Sequence, residues 1–280
     1  MDFFSGRKAV IATKHKKEEV IAPIFENELG LICVVPKDLD TDKLGTFSGE
    51  VEREDDPFTT LRKKCRMAID ASGINVAIAN EGSFGAHPAM FFAHANDELV
   101  MLMDKENGIE IIERELSLNT NFDGKDIKSE DELIEFANKI GFPSHGIILK
   151  KGKNNYTGII KESGTIEELT KNYHVIKNED GTAYIETDMR AMFNPTRMKI
   201  IEQAAIKLVN KIKSFCPNCS TPGFGVEDAV KGLPCEMCGL PTRSTLKHIY
   251  RCQICNFQMG KEFPFKKQVE NPQYCDFCNP

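Results

Sequence analysis

The sequence predicts a layered α/β body, a mixed sheet with flanking helices, followed by a small module built on cysteines. Three observations carry that reading. Over the first 214 of 280 residues, short apolar runs alternate with stretches of helical periodicity. Eight of the ten cysteines then fall in four Cys-x-x-Cys pairs after residue 215. Charge divides at the same place: residues 215–280 hold seven basic and six acidic side chains, leaving 29 basic against 36 acidic in the rest. The predicted domains are therefore 1–214 and 215–280.

The elements of the body follow in order. KAVIAT (Lys8–Thr13) reads as a buried strand, and the charged stretch after it as a helix to Leu29, with Pro23 placed to bend or delay it. LICVVP (Leu31–Pro36) is a second strand, and an acidic loop follows. Asp56 then caps a helix that opens on Pro57 and closes at Gly73, with Phe58, Leu61, Cys65, Ala68 and Ile69 on one face. INVAIAN is a strand that the pattern ends at Glu81, before a Gly-Ser-Phe-Gly turn. ELVMLMD (Glu98–Asp104) and GIEIIERE form a hairpin through Glu106-Asn107-Gly108. Ser129 and Glu132 make a capping box for the next helix. Short strands are expected at GIILKK and YTGII, a helix around TIEELTKNY and a strand at TAYIETD. Asn194 and Pro195 start a long last helix with Ile201, Ala204, Ala205, Leu208 and Ile212 on one face.

Composition bounds the class. Hydrophobic content of 41% fills a core and charged content of 28% suits a soluble surface. No apolar run approaches the ~18 residues of a membrane span, and the start lacks the long apolar segment of a signal peptide. The expected compartment is the cytoplasm, where thiols stay reduced and paired cysteines bind metal rather than bridge. An acidic body and a near-neutral tail lack the basic footprint of strong non-specific nucleic-acid binding.

The four pairs are Cys216/Cys219, Cys235/Cys238, Cys252/Cys255 and Cys275/Cys278. Two such knuckles supply the four thiolates of a tetrahedral Zn²⁺ shell. Fifteen residues separate the first two pairs and nineteen the last two, both within the usual spacing for one site. The simplest arrangement is two sequential zinc ribbons; the interleaved one, first pair with third and second with fourth, needs longer connections. With four thiolates per ion the two zinc sites are closed and structural. A chain segment this short, with few large apolar residues, does not fold on a core alone. Phe257, Phe263, Phe265 and Tyr274 read as minimal ribbon cores, or as aromatics offered to a partner.

In the body, several signatures are absent: there is no GxxxxGK[ST] and no HExxH. EGSFG has Glu81 where a nucleophile elbow needs glycine, which disfavours Ser83 as a nucleophile. What remains are polar residues where strands end, the place ligands occupy in α/β sheets. Thr13, Lys14 and His15 end the first strand, Glu81 the middle one and Asp104 its neighbour. Glu81 and Asp104 together suit Mg²⁺, with Thr13, Lys14, Lys16, Arg190 and Arg197 holding phosphate. The competing reading is that strand ends carry polar turn residues in any fold.

Two resemblances extend this. ATKHKKE, the helix from Pro57 to Gly73 and IANEGSFG resemble the opening of the inosine/xanthosine triphosphatase-like nucleotide pyrophosphatases. In that resemblance Ala12, Thr13, Lys16 and Glu81 match, while His15 stands for an Asn, Glu18 for a second Lys and Asn80 for the first acid. It implies Mg²⁺-dependent hydrolysis of nucleotides. TDMRAMFNPTRM before CPNC, with the closing YCDFCNP, resembles an uncharacterised bacterial family known as a domain of unknown function, which implies an α/β body with a zinc-binding tail. Two functions follow as expectations: a phosphohydrolase acting on a phosphorylated small molecule, or a binding protein whose ribbons recognise a protein or nucleic acid.

Overall fold

The computed structural model describes residues 3–36, 39–45, 54–161 and 163–280, the side chains of residues 42 and 91 excepted. Much of the predicted acidic loop, residues 37, 38 and 46–53, lies outside them. The chain divides into two compact units, Met1–Val209 and Asn210–Pro280.

A five-stranded sheet organises the first unit, in the order β2-β1-β3-β4-β5: β1 (Lys8–Ala12), β2 (Ile32–Val34), β3 (Val76–His87), β4 (Met90–Asp104) and β5 (Ile109–Ser117). β1 runs parallel to β2 and β3, while β3, β4 and β5 form an antiparallel meander. Helix α1 (Glu18–Leu29), with Pro23 inside it, connects β1 to β2. Helix α2 (Pro57–Ser72) starts where the Asp56 carboxylate accepts the Phe58 and Thr59 N–H groups at 2.9 and 3.1 Å, and ends at Gly73 with φ 69°.

Leu61, Cys65, Ala68 and Ile69 of α2 are buried against Val10, Ala12, Ala77, Ala79, Leu99, Met101 and Met103. Each large aliphatic side chain fully buried this way contributes about 1.5–3 kcal/mol. Phe58, expected on this face, is 44% exposed, and Lys64 is buried there instead.

Two expectations about strands change. β3 does not stop at Glu81: its pairing with β4 continues from Val76↔Asp104 past Glu81↔Leu99 to Ala86↔His94. The partner strand satisfies the backbone through the glycines, so tertiary pairing overrides their local turn preference. The reversal comes instead at His87, whose Nδ1 accepts the Ala89 and Met90 N–H groups at 3.1 and 3.2 Å. YTGII makes only an isolated bridge, Leu149↔Ile160.

A second, antiparallel sheet has the order β6-β8-β7, from β6 (Gly124–Ile127), β7 (Ile147–Lys150) and β8 (Ala183–Thr187). Helices α3 (Glu130–Ile140) and α4 (Ile166–Ile176) close its core through Leu133, Phe136, Leu169 and Tyr173 against Ile127, Leu149 and Ile185. β6 reads GKDI and has no strand periodicity. Helix α5 (Pro195–Ile212) follows, with the Asn194 side chain accepting the Arg197 N–H at 2.9 Å.

The second unit is a three-stranded antiparallel sheet of order β11-β10-β9, from β9 (Gly225–Lys231), β10 (Thr245–Arg251) and β11 (Gln258–Glu262). Its strands are half-buried or exposed throughout. Among its few buried side chains are Cys216, Cys235, Cys252 and Cys275. Phe257 packs with Phe224 and Tyr250 around Cys216 and Cys252 as expected of a ribbon core, whereas Phe265 and Tyr274 are 69% and 56% exposed.

Candidate functional site

The eight paired cysteines form two groups, and the pairing is interleaved: Cys216, Cys219, Cys252 and Cys255 in one, Cys235, Cys238, Cys275 and Cys278 in the other. The sequential arrangement is thereby corrected, and the strands give the reason. β9 carries the chain about 20 Å between the first knuckle and the second, at ~3.4 Å per residue. The register Gly225↔Arg251 then returns β10 to the first knuckle's end, so the third knuckle meets the first. The second and fourth meet because Pro234 and Glu236 exchange backbone bonds with Glu270, at 2.8 and 2.9 Å.

Sulfur separations between facing knuckles are 3.7 and 3.6 Å in the first group and 3.9 and 3.7 Å in the second. A tetrahedron with ~2.3 Å metal–sulfur bonds has an edge of about 3.8 Å, so each donor set fits one ion. Three of the four knuckles also turn on the residue after their second cysteine, with φ 58° at Ser220, 71° at Gly239 and 59° at Asn256. Four sulfur donors would leave a bound ion no open position for water or substrate.

The chemistry of the first unit gathers where β1 ends. A cleft of about 560 Å³ lies at the carboxyl ends of β1 and β2, lined by Thr13, Lys14, Glu18, Val35, Pro36, Leu39 and Asp40. The β1–α1 connection bends through Lys16 at φ 58°, a left-handed conformation that is costly for a residue with a Cβ. Lys17 occupies the N-cap of α1 and offers no side-chain cap.

Beside this end lies a buried charged cluster. β1 and β3 last pair at Ala12↔Ala79, so Asn80 and Glu81 continue past the end of β1. Lys64 of α2 covers them: its Nζ donates to the Asn80 carbonyl at 3.3 Å and bonds the Glu81 carboxylate. On the other face of the sheet, Glu98 accepts from Arg197 Nε at 2.7 Å and from the Asn80 amide at 3.0 Å. Arg197 also donates to the Met189 carbonyl at 2.5 Å and lies over the Phe84 ring. Gly82 is required here, because a Cβ on it would meet the Glu98 carboxylate at 2.5 Å and Arg197 at 2.6 Å. Burial, together with the Arg197 and Lys64 charges, pulls the Lys17 ammonium down to about 7 against the opposing pull of Glu98 and Glu81.

One observation draws cleft and cluster together. The buried polar side-chain atoms without a hydrogen-bond partner, among the described residues, belong to four residues: Thr13, Glu18, Asn80 and Asn96. Thr13 and Glu18 line the cleft, Asn80 bonds Glu98, and Asn96 lies two residues before Glu98 on the same face of β4. Unsatisfied buried polar atoms are uncommon in native proteins, and here Thr13, Glu18 and Asn80 stand at the end of β1, while Asn96 lies about 14 Å further along β4 from the partner of Asn80.

The residues singled out from sequence divide accordingly. Thr13 and Lys14 line the cleft, Lys14 bonding Asp40 at 2.9 Å. Lys16 is exposed, 3.8 Å from Glu19. Glu81 and Arg197 are in the cluster, where both bond protein groups. Asp104 is elsewhere: it pairs with Val76, five residues along β4 from the partner of Glu81, or about 17 Å away. Arg7 grips it at 2.6 and 2.9 Å and Asn107 at 2.7 Å, which makes Asp104 a clamp on the β4–β5 turn. The expected Glu81–Asp104 pair for Mg²⁺ does not form, because Glu81 lies within β3 opposite Leu99 and Asp104 stands five residues further along β4. Arg190 is held by Asp188 at 2.7 Å and stacks on Phe193. Sequence reading missed Lys17, Lys64, Glu98 and Asn96. Lys64 and Glu98 each break an apolar pattern, which is the one local signal they give.

A family model for a domain of unknown function (DUF6671) matches residues 64–280. The chain belongs to that family. The DUF6671 match takes in Glu81, Glu98, Arg197 and all eight paired cysteines, while Thr13 and Lys17 precede it. No curated protein matches the chain. Among solved structures, the crystal structure of protein VC0702 from Vibrio cholerae is similar at 11% identity and a TM-score of 0.34, covering 73% of this chain and 93% of that one. A likeness at that score carries no functional reading. No helix of the described residues is long and apolar enough to cross a membrane.

Proposed function

We propose that this DUF6671 protein binds a phosphorylated small molecule of the nucleotide class in the cleft at the end of β1, and that its second unit is held together by two structural Zn²⁺ ions. The observation that carries the ligand reading is the set of unpartnered buried polar atoms on Thr13, Glu18 and Asn80 at the end of β1. Together they offer a hydroxyl, an amide oxygen and a carboxylate oxygen, which suits a ligand with both donors and acceptors. Lys14 lines the same cleft and supplies positive charge there. The resemblance of ATKHKKE and IANEGSFG to nucleotide pyrophosphatases supports the same ligand class. Hydrolysis at this cleft would have to use the carboxylates that line it, Glu18 and Asp40, rather than Asp104.

The test is calorimetry on the full, metal-loaded chain with ATP and with inorganic pyrophosphate, each with and without Mg²⁺, alongside a phosphate-release assay. Binding is expected, and Thr13→Val should weaken it about tenfold by removing a buried hydrogen bond worth ~1.4 kcal/mol. If neither probe binds under any of these conditions, the proposal fails.

A further inference from the structure

A second cleft, of about 570 Å³, lies near the far end of the β3–β4 pair, with Ala93, Leu118, Phe122 and Ile140 as its apolar walls. Along β3, the partner of Ala12 stands seven residues, about 24 Å, from the partner of His94. The cleft is therefore separate from the one at the end of β1. Its two charged residues, Asp123 and Lys139, pair with each other at 2.6 Å. The Asn121 amide is engaged by the Asn194 amide at 2.9 Å and the Ile140 carbonyl at 3.4 Å.

Two neutral polar groups are left over among the described residues of this lining. His94 Nδ1 lies 3.0 Å from the Phe122 carbonyl, which only accepts, so Nδ1 carries the hydrogen and Nε2 keeps its lone pair. Thr120 Oγ1 accepts the Phe122 N–H at 3.2 Å and still holds its own O–H. The aromatic wall is fixed from behind. Phe122 stacks on Phe84 with centroids 5.7 Å apart and meets the His94 ring edge-on at 5.2 Å.

Asn96 is an independent sign at the same place. It lies two residues from His94 on the same face of β4, opposite Phe84 on β3 and Ser117 on β5. Phe84 touches the wall residue Phe122, and Ser117 immediately precedes the wall residue Leu118. Both amide atoms of Asn96 are buried without a partner among the described residues. Buried amides in native proteins are completed by protein, water or ligand, so this one marks where a group from outside the chain is accommodated.

We infer that this cleft is a second ligand site, selective for a neutral, planar nitrogen heterocycle whose N–H is accepted by His94 Nε2. Small-molecule pockets are largely apolar with a few placed polar groups, which is the make-up here. One acceptor and one donor between apolar walls match a ring carrying both an N–H and an unprotonated nitrogen. A phosphate group does not fit, because Lys139 is already paired. The inference does not rest on the ligand proposed for the first cleft.

The experiment titrates the full, metal-loaded chain with benzimidazole and with 1-methylbenzimidazole, which lacks the N–H, at mildly alkaline pH where both are neutral. Nitrogen-detected NMR of the histidine rings reads the site directly. Benzimidazole should shift the His94 Nε2 signal and bind at least about tenfold more tightly than its methylated analogue. His94→Phe keeps a ring but no acceptor, and should erase that preference; a merely structural histidine would weaken both probes alike. Leu118 is 50% exposed, so Leu118→Trp should fold, fill the cleft and abolish binding while the His94 Nδ1 signal stays in place. Equal affinity for the two probes overturns the inference. So does benzimidazole that leaves the His94 signals unmoved up to its solubility limit, or that binds Leu118→Trp as it binds wild type. None of these results touches the first cleft, whose probes are ATP and pyrophosphate.

Discussion

The two units solve the problem of a buried core in opposite ways. In Met1–Val209, helices α2, α3 and α4 press apolar faces onto two sheets, and buried charged groups enter as bonded pairs such as Lys64–Glu81, Glu98–Arg197 and Lys150–Glu186. In Asn210–Pro280 the strands lie largely in solvent and the most deeply buried side chains include one thiol from each knuckle. The contrast teaches where each unit keeps its function. A core built on apolar area tolerates a costly polar pocket, because the surplus of burial elsewhere holds it in place. A module built around two four-cysteine groups has no such surplus, and a metal bound there would serve folding.

The largest effect should separate the units outright. Structural Zn²⁺ in small modules contributes about 10–16 kcal/mol at neutral pH. Chelation should therefore abolish hydrogen-exchange protection in residues 210–280 and leave β3 and β4 protected; loss of protection in both together would show that the contrast is false. The interleaved pairing has its own signature. Cys216→Ser and Cys252→Ser disable the same site, so the double variant should be little worse than either single one. Cys216→Ser with Cys275→Ser strikes both sites and should lower bound zinc further, as read by metal analysis.

A smaller effect probes the polar edge of the body. Arg197→Met leaves Glu98 buried with only the Asn80 amide, and should cost about 3–5 kcal/mol in denaturant unfolding. A loss below 1 kcal/mol would mean that the Glu98–Arg197 pair does not hold the cluster.

The smallest effect concerns the far end of β4. Burial would raise the Asp104 carboxyl, but the bonds from Arg7 and Asn107 outweigh it and hold the group below its ordinary value. The folded state therefore binds the Asp104 proton less readily than the unfolded chain. The clamp's stabilisation is complete above the unfolded carboxylate value near 4 and is lost as pH falls through the lower folded value. Asp104→Asn should accordingly flatten the decline of melting temperature below about pH 4, with little effect on ligand binding. A variant that loses binding and keeps the acid sensitivity would return Asp104 to the site.

Much of the fold was legible because its signals are local. Asp56-Pro57 and Gly73 bracket α2, Ser129 and Glu132 open α3, and Asn107-Gly108 turns β4 into β5, each through hydrogen bonds or backbone freedom within a few residues. The cysteine ligands were legible for the same reason, since two thiolates three positions apart grip one ion by themselves. The end of β3 was misplaced because glycine and serine suggest a turn locally, while a partner strand twenty residues on settles the matter. β6 was invisible, its strand state existing only through β8.

The sequence by itself determined which cysteines could hold metal, where most helices begin and end, and that Thr13 and Lys14 stand at a strand end. Tertiary structure alone decided which knuckle meets which, because that depends on how far β9 and β10 carry the chain and in what register they return. It alone also decided that Glu81 faces Lys64 instead of Asp104, and that Glu98 meets Arg197. Those facts are distances and burial between residues far apart in the chain, and no local pattern encodes them.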